Sequence, residues 1–204
     1  IDSSKFEKNY EIPDIYQGAS DIIKLCVVGN IRGARTYDVI IEAIHRLVTE
    51  GLVNIGLYII GNTPKEEQHL LDYYTCTCKK YRIEDVVHFV GSRNDVPAIL
   101  QHSDIYIMSS IETFGISIVE AMMSGVPVIV NDFDVIREVT VEGKLATLFK
   151  TNDAEDLVEK LKMVINSLSQ YKNEARERMV NIRNTYSLTH CINELNQLYK
   201  ILMN

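Results

Sequence analysis

Four short, mostly apolar runs in the first 110 residues each end at a glycine or serine and are each followed by a polar loop and a helical pattern. These are Ile22 to Val28 ending at Gly29, Asn54 to Ile60 ending at Gly61, Val86 to Val90 ending at Gly91, and Ile105 to Met108 ending at Ser109. Predominantly apolar runs of this length suit strands buried on both faces, as in parallel sheets, because the crossover helices cover both sides. Amphipathic segments separate them. Val39, Ile40, Ala43, Ile44 and Leu47 recur at helical spacing behind a capping Thr36 or Asp38, and Gly51 closes that helix. Pro64 opens a long helix to about Tyr81, and a short one carries Val96, Ile99 and Leu100. A fifth strand is expected over Val126 to Val130, a short helix over Asp134 to Val139, and a sixth strand over Ala146 to Phe149. Three helices close the chain at 153–167, 169–184 and 187–203, the last with Leu188, Ile192, Leu195, Leu198, Tyr199 and Leu202 in one stripe behind a capping Ser187. That stripe reads as a packing surface, part of it for a further half of a longer chain. Alternation of this kind predicts an α/β, doubly wound parallel sheet of about six strands with C-terminal helices.

In such sheets ligands bind beyond the C-terminal ends of the strands. The loops 29–36, 61–64, 91–95 and 109–116 should therefore share one crevice, with Arg32, Arg35 and Arg93 facing Glu112 and Glu120. The first loop has only Gly29 and Gly33, so it lacks the three-glycine dinucleotide fingerprint, and Gly33-Ala34-Arg35-Thr36 has the wrong spacing for a Walker-type phosphate loop. The stretch Ser109 to Met122 is more informative. It offers a strand exit, a polar turn, Gly115 and an amphipathic helix, with Glu112 and Glu120 on either side of the glycine. Amides at a helix start favour an anion such as a phosphate, and a glycine lets it approach the backbone. Glu112 would lie in the loop above. Helical side chains lean toward the N-terminus, so Glu120 reaches the same crevice, where carboxylates can take hydroxyl groups.

Composition narrows the classes. The 204 residues suffice for one well-packed domain, and the net charge of −7 argues against non-specific nucleic-acid binding. No apolar run approaches 18 residues and no charged start precedes a hydrophobic core, so neither a membrane span nor a signal peptide is expected. Cys76 and Cys78 stand two apart on a helix, hence on different faces, and the histidines show no ligand spacing. Reduced thiols, a cytoplasmic setting and no metal site are the expectation. The first residue is isoleucine, which reads as a processed product or a fragment, and residues 1–21, with Pro13 and Gly18, read as a polar lead-in.

The whole run Ser109 to Val128, with Glu112, Phe114-Gly115, Glu120-Ala121-Met122 and Gly125-Val126-Pro127-Val128, resembles the retaining glycosyltransferases of the GT-B type, family 4 or group 1. In them it is the Glu-x7-Glu motif of the C-terminal, nucleotide-sugar-binding domain. Val27-Val28-Gly29, Leu57 to Gly61, Val87 to Gly91 and Ser103-Asp104-Ile105-Tyr106 match the family's other elements in order, and Ile1 to Phe6 resembles its interdomain segment. The resemblance implies an interdomain lead-in at 1–21, a nucleotide-sugar-binding Rossmann-like domain at 22–186 and a C-terminal helix at 187–204. It further implies a catalytic role for Glu112, at the hydroxyls of the transferred hexosyl unit. The amides of Thr113, Phe114, Gly115, Ile116 and Ser117 would hold the diphosphate, Glu120 the ribose, and Gly91, Ser92 and Arg93 would border the base. Gly29, Asn30, Arg32 and Arg35 would form the first-loop side of the donor site. There the family carries two cations and this chain has Asn30 and Arg35, with Arg32 the only nearby substitute. Phe114 reads as a packing anchor for its loop.

The implied partners are a UDP-, GDP- or ADP-sugar, a glycan or lipid-linked acceptor of the kind used in polysaccharide synthesis, and a missing N-terminal acceptor-binding domain. No metal or other cofactor is implied, no nucleic acid is involved, and the chain alone would be inactive. The full-length protein would be cytoplasmic, with peripheral attachment to the inner face of the membrane. A non-catalytic GT-B-like interaction module, or half of a sugar-nucleotide epimerase or phosphorylase, stays open on the residues alone.

Overall fold

A computed structural model describes residues 1–111 and 114–203. Six strands form one fully parallel sheet: β1 (Ile23–Val28), β2 (Ile55–Ile60), β3 (Val87–Gly91), β4 (Ile105–Met108), β5 (Val128–Asp132) and β6 (Thr147–Lys150). Their order in space is β3-β2-β1-β4-β5-β6, the doubly wound arrangement expected from the sequence. The central strands are the most apolar for a physical reason. All six residues of β2 and all four of β4 are buried, because helices cover both faces. Successive side chains alternate between faces. Leu25 and Val27 of β1 and Ile105 and Ile107 of β4 join one core cluster, while Cys26, Tyr106 and Met108 join the other.

The helices divide accordingly. On the first face lie α1 (Tyr37–Thr49), α2 (Gln68–Tyr81) and α6 (Ala154–Asn166). Helix α1 buries Tyr37, Ile40, Ile41, Ala43, Ile44 and Leu47 on one stripe, the face that its apolar spacing predicts. On the second face lie α3 (Val96–His102), α4 (Ile116–Met123), α5 (Asp134–Val139) and the end of α7 (Leu168–Thr185). The expected helix from Pro64 begins instead as a 3-10 turn, Lys65–Glu67, ahead of α2.

Both ends of the chain show more than their sequence does. Residues 1–21, the polar lead-in, are docked on the domain. They form two single-turn 3-10 helices that bury Phe6 and Tyr16 against the second face. Burying an aromatic ring contributes about 1.5–3 kcal/mol, which outweighs the freedom of a short polar tail. Arg183 donates to the carbonyls of Phe6 and Met123, Gln101 exchanges bonds with Tyr10 N and Lys8 O, and the Tyr16 and Ser103 hydroxyls lie 2.8 Å apart. At the other end is α8 (Leu188–Leu202), which carries the apolar stripe. None of its residues is buried, and Leu195 and Leu198 are about half exposed. Helix α8 leaves the domain just after Tyr186, and nothing among the described residues covers it.

The strand exits at the top of the sheet are tightly stacked. Gly29 N donates to Ile60 O at 2.8 Å and Gly61 N to Gly91 O at 2.9 Å. A Cβ added at Gly61 would come within 2.1 Å of the Gly29 carbonyl oxygen. Gly61→Ala should therefore push the β1 and β2 exits apart and lower stability by about 1–3 kcal/mol, read as a lower denaturation midpoint. Gly33→Ala is the control: open space surrounds that position, its φ is not in the left-handed region, and its midpoint should hold or rise slightly.

Candidate functional site

The sheet order reverses between β1 and β4, so the loops that leave these two strands part and open a crevice of about 390 Å³. Val28, Gly29, Asn30 and Arg35 line one wall, and Phe114, Gly115, Ile116, Ser117 and Glu120 line the other. Arg35 lies directly over Gly29: a Cβ there would fall 2.0 Å from a guanidinium nitrogen, and the end of the arginine side chain would have to move aside. Gly115 is required by its own backbone, with φ +79° and ψ 53°, and it forms the N-cap of α4. The amides of Ile116 and Ser117 stand in the first turn, where no earlier helical carbonyl reaches them. Together with Arg35 they give the crevice a positive floor.

Buried polar bonds hold this floor. Thr36, expected as a helix cap, makes no capping bond. Its amide and its hydroxyl donate to Ser109 O instead, at 3.0 and 2.8 Å, and its Oγ1 lies 2.6 Å from Ser109 Oγ. Arg35 and Ser110 form an isolated antiparallel bridge. Ser110 N donates to Oδ1 of Asn131, a buried side chain on β5. Tyr37 Oη donates to Gly29 O at 2.8 Å, and Tyr106 Oη, from below, to Ser117 Oγ at 2.8 Å. Asn131, Tyr37 and Tyr106 escaped the sequence reading. Their only signal was a polar group in a strand or helix otherwise buried.

The structure gathers Gly29, Asn30, Arg35, Phe114, Gly115, Ile116, Ser117 and Glu120 into one wall-to-wall site. It leaves the other candidates aside. Arg32 is exposed and its side chain does not line the crevice. Asn30 ties loops together: its Oδ1 accepts from Asn62 N at 3.0 Å. Gly91, Ser92 and Arg93 also lie outside the crevice. Arg93 donates to both carboxylate oxygens of Asp95 at 2.8 Å and to Asp14 at 2.6 Å, so it fastens the lead-in to the start of α3. These carboxylates raise the Arg93 pKa above its ordinary value. Phe114 touches Tyr186 edge-on with ring centres 6.3 Å apart but is 43% exposed, so it is only partly packed. Glu112 and Thr113 lie outside the described residues. Among the described residues no group of three His, Cys, Asp or Glu side chains could hold a metal ion, and no helix is long and apolar enough to cross a membrane.

A parallel sheet with a basic first loop and a glycine-started helix across its switch point defines a Rossmann-like domain. The family follows from comparison with known proteins: residues 11–183 match the glycosyl transferases group 1, and the chain belongs to that family. It is 24% identical over 204 residues to the N-acetyl-alpha-D-glucosaminyl L-malate synthase of Bacillus anthracis, covering 97% of this chain and 49% of that protein. It spans no more than about half the length of the curated relatives it matches. Among solved structures it resembles Anabaena Alr3699/HepE, crystallised with UDP and glucose, with a TM-score of 0.88 at 17% identity over 98% of this chain and 55% of that one. It also resembles the C-terminal domain of the group 1 protein LpcC from Francisella tularensis, with a TM-score of 0.78 at 19% identity over 92% of this chain and 99% of that one.

Glu120 is half-buried in the crevice wall and no described residue hydrogen-bonds its carboxylate. Burial raises its pKa above the ordinary 4.5, and the Lys5 charge opposes this only in part. A raised folded-state pKa disfavours the charged folded form, so stability is lost as pH rises through 4.5 and the folded value. Glu120→Gln should therefore raise the melting temperature at pH 7 and leave it unchanged near pH 3. An equal gain at both pH values would contradict this origin.

Proposed function

We propose that this chain is the donor-binding half of a retaining glycosyltransferase, which transfers a hexosyl unit from a nucleoside diphosphate sugar to a glycan or lipid-linked acceptor. One observation carries the reading: Arg35, the first-turn amides of α4 and the Glu120 carboxylate converge on a single crevice. That pattern suits a ligand with a diphosphate at one end and hydroxyls at the other. The family membership and the UDP bound by Alr3699/HepE support a nucleotide sugar of the UDP, GDP or ADP type.

The chemistry follows from where charge develops. As the sugar leaves, negative charge grows on the diphosphate and the anomeric carbon becomes oxocarbenium-like. Amides and a guanidinium already aimed at the phosphate stabilise that charge without reorganising. Arg35 grips phosphate oxygens bidentately, the amides of Gly115 to Ser117 take the remainder, and no metal is required. Glu120 accepts from the ribose. Glu112 sits, in this reading, by the sugar hydroxyls and carries the catalytic role. The acceptor belongs to an N-terminal domain of the full-length protein, so the chain alone is inactive. The working protein is cytoplasmic and peripheral to the membrane's inner face.

The uncharged Asn30 favours weak binding, and it gives some weight to a second reading in which the domain has become a non-catalytic interaction module. Calorimetry with UDP, GDP and ADP distinguishes the two. We expect a dissociation constant of roughly 0.1–1 mM for one of them. Arg35→Ala and Glu120→Ala should each weaken it about tenfold or more, the worth of a hydrogen bond to a charged group. No heat at millimolar concentration with any of the three would remove the donor-site reading and leave the interaction module.

A further inference from the structure

The Tyr106 hydroxyl is a buried polar group that reaches a side chain of the crevice wall from beneath. Tyr106 lies in the middle of β4 with no exposed surface, on the face that carries α4. Its Oη donates to Ser117 Oγ at 2.8 Å. Ser117 is the second residue of α4 and lines the crevice. A serine hydroxyl has one proton and two lone pairs. Once Tyr106 fills a lone pair, the serine proton cannot turn inward to the tyrosine, whose own proton occupies that line. No other described residue bonds Ser117 Oγ. The proton is left for an acceptor in the crevice, beside the α4 amides and across from Arg35. Burial pushes the Tyr106 pKa far above its ordinary value of 10, so the tyrosine remains a donor throughout the physiological range.

We propose that Tyr106 is a positioning residue that holds Ser117 as a hydroxyl donor to the phosphates of the nucleotide. The inference rests on the donor-site reading and deepens it. Two hydrogen bonds in line polarise each other, so the serine is a stronger donor with the tyrosine behind it than without. The side chain of Tyr106 touches no ligand, and its effect passes entirely through Ser117.

The test is a double-mutant cycle on this chain, read by calorimetry. The probe is whichever of UDP, GDP and ADP the wild-type chain binds best, with the matching nucleoside as the control that lacks phosphate. Tyr106→Phe should weaken the diphosphate about three- to tenfold, the worth of one net hydrogen bond. Nucleoside binding should stay within about twofold. Ser117→Ala should weaken the diphosphate by a similar factor, and the double variant should be no weaker than Ser117→Ala alone. A Tyr106→Phe protein that binds the diphosphate as the wild type does overturns the proposal. So does one that loses diphosphate and nucleoside alike, and so do losses that multiply in the double variant. Should Tyr106→Phe fail to fold in a thermal melt, Ser117→Ala decides: full diphosphate affinity there overturns the proposal. A wild-type chain that binds none of the three nucleotides overturns the donor-site reading first, and this inference with it.

Discussion

The short ladder between β1 and β4 is the contact on which the rest depends. Only Leu25 with Ile105 and Cys26 with Tyr106 are in register there, against six paired positions between β1 and β2. The strands meet low and separate early. Above that point the sheet has no backbone partner to offer, and the chain fills the gap with loops from both sides. The crevice is thus a direct product of strand order. It needs side chains to furnish it but not to create it.

Furnishing it sets a packing problem, which the chain meets with small residues and buried polar groups. A cation lies over the β1 exit, where Gly29 has no side chain. A helix must start abruptly, so Gly115 takes a left-handed conformation. Loops this open have few apolar contacts to hold them. Asn131, Tyr37 and Tyr106 supply directional bonds from residues already fixed in the core, and the half-buried Thr36 adds its own across the gap. A buried hydroxyl or amide carries a desolvation penalty unless paired, which makes each of these bonds costly to leave unmade and so selects one loop arrangement.

Much of this was legible in the amino-acid order. Strand and helix positions follow from apolar periodicity, and most boundaries fall within a residue or two of expectation, as with β1 at Ile23–Val28 against a run beginning at Ile22. The Ser109 to Val128 motif pointed to the correct family. What stayed hidden depends on partners distant in sequence. Arg93 looks like a crevice cation until Asp14, 79 residues away, claims it. Residues 1–21 look polar because Phe6 and Tyr16 are only two rings among charges, and a few well-seated rings suffice to dock a strap. Asn30 and Arg32 could not be ranked from spacing, because the outcome turned on the Asn62 amide, which Asn30 holds. Thr36 or Asp38 suits a cap because capping is local; Thr36 does stand at the N-cap of α1, but its hydroxyl bonds the exit of the far strand.

The docked lead-in has a geometric consequence. The Ile1 nitrogen donates to Tyr186 O at 3.1 Å, and Leu188 N donates to Ile1 O at 2.9 Å. The first residue and the start of α8 therefore meet at a single corner of the domain, so one pair of backbone bonds closes the second face over Phe6 and Tyr16.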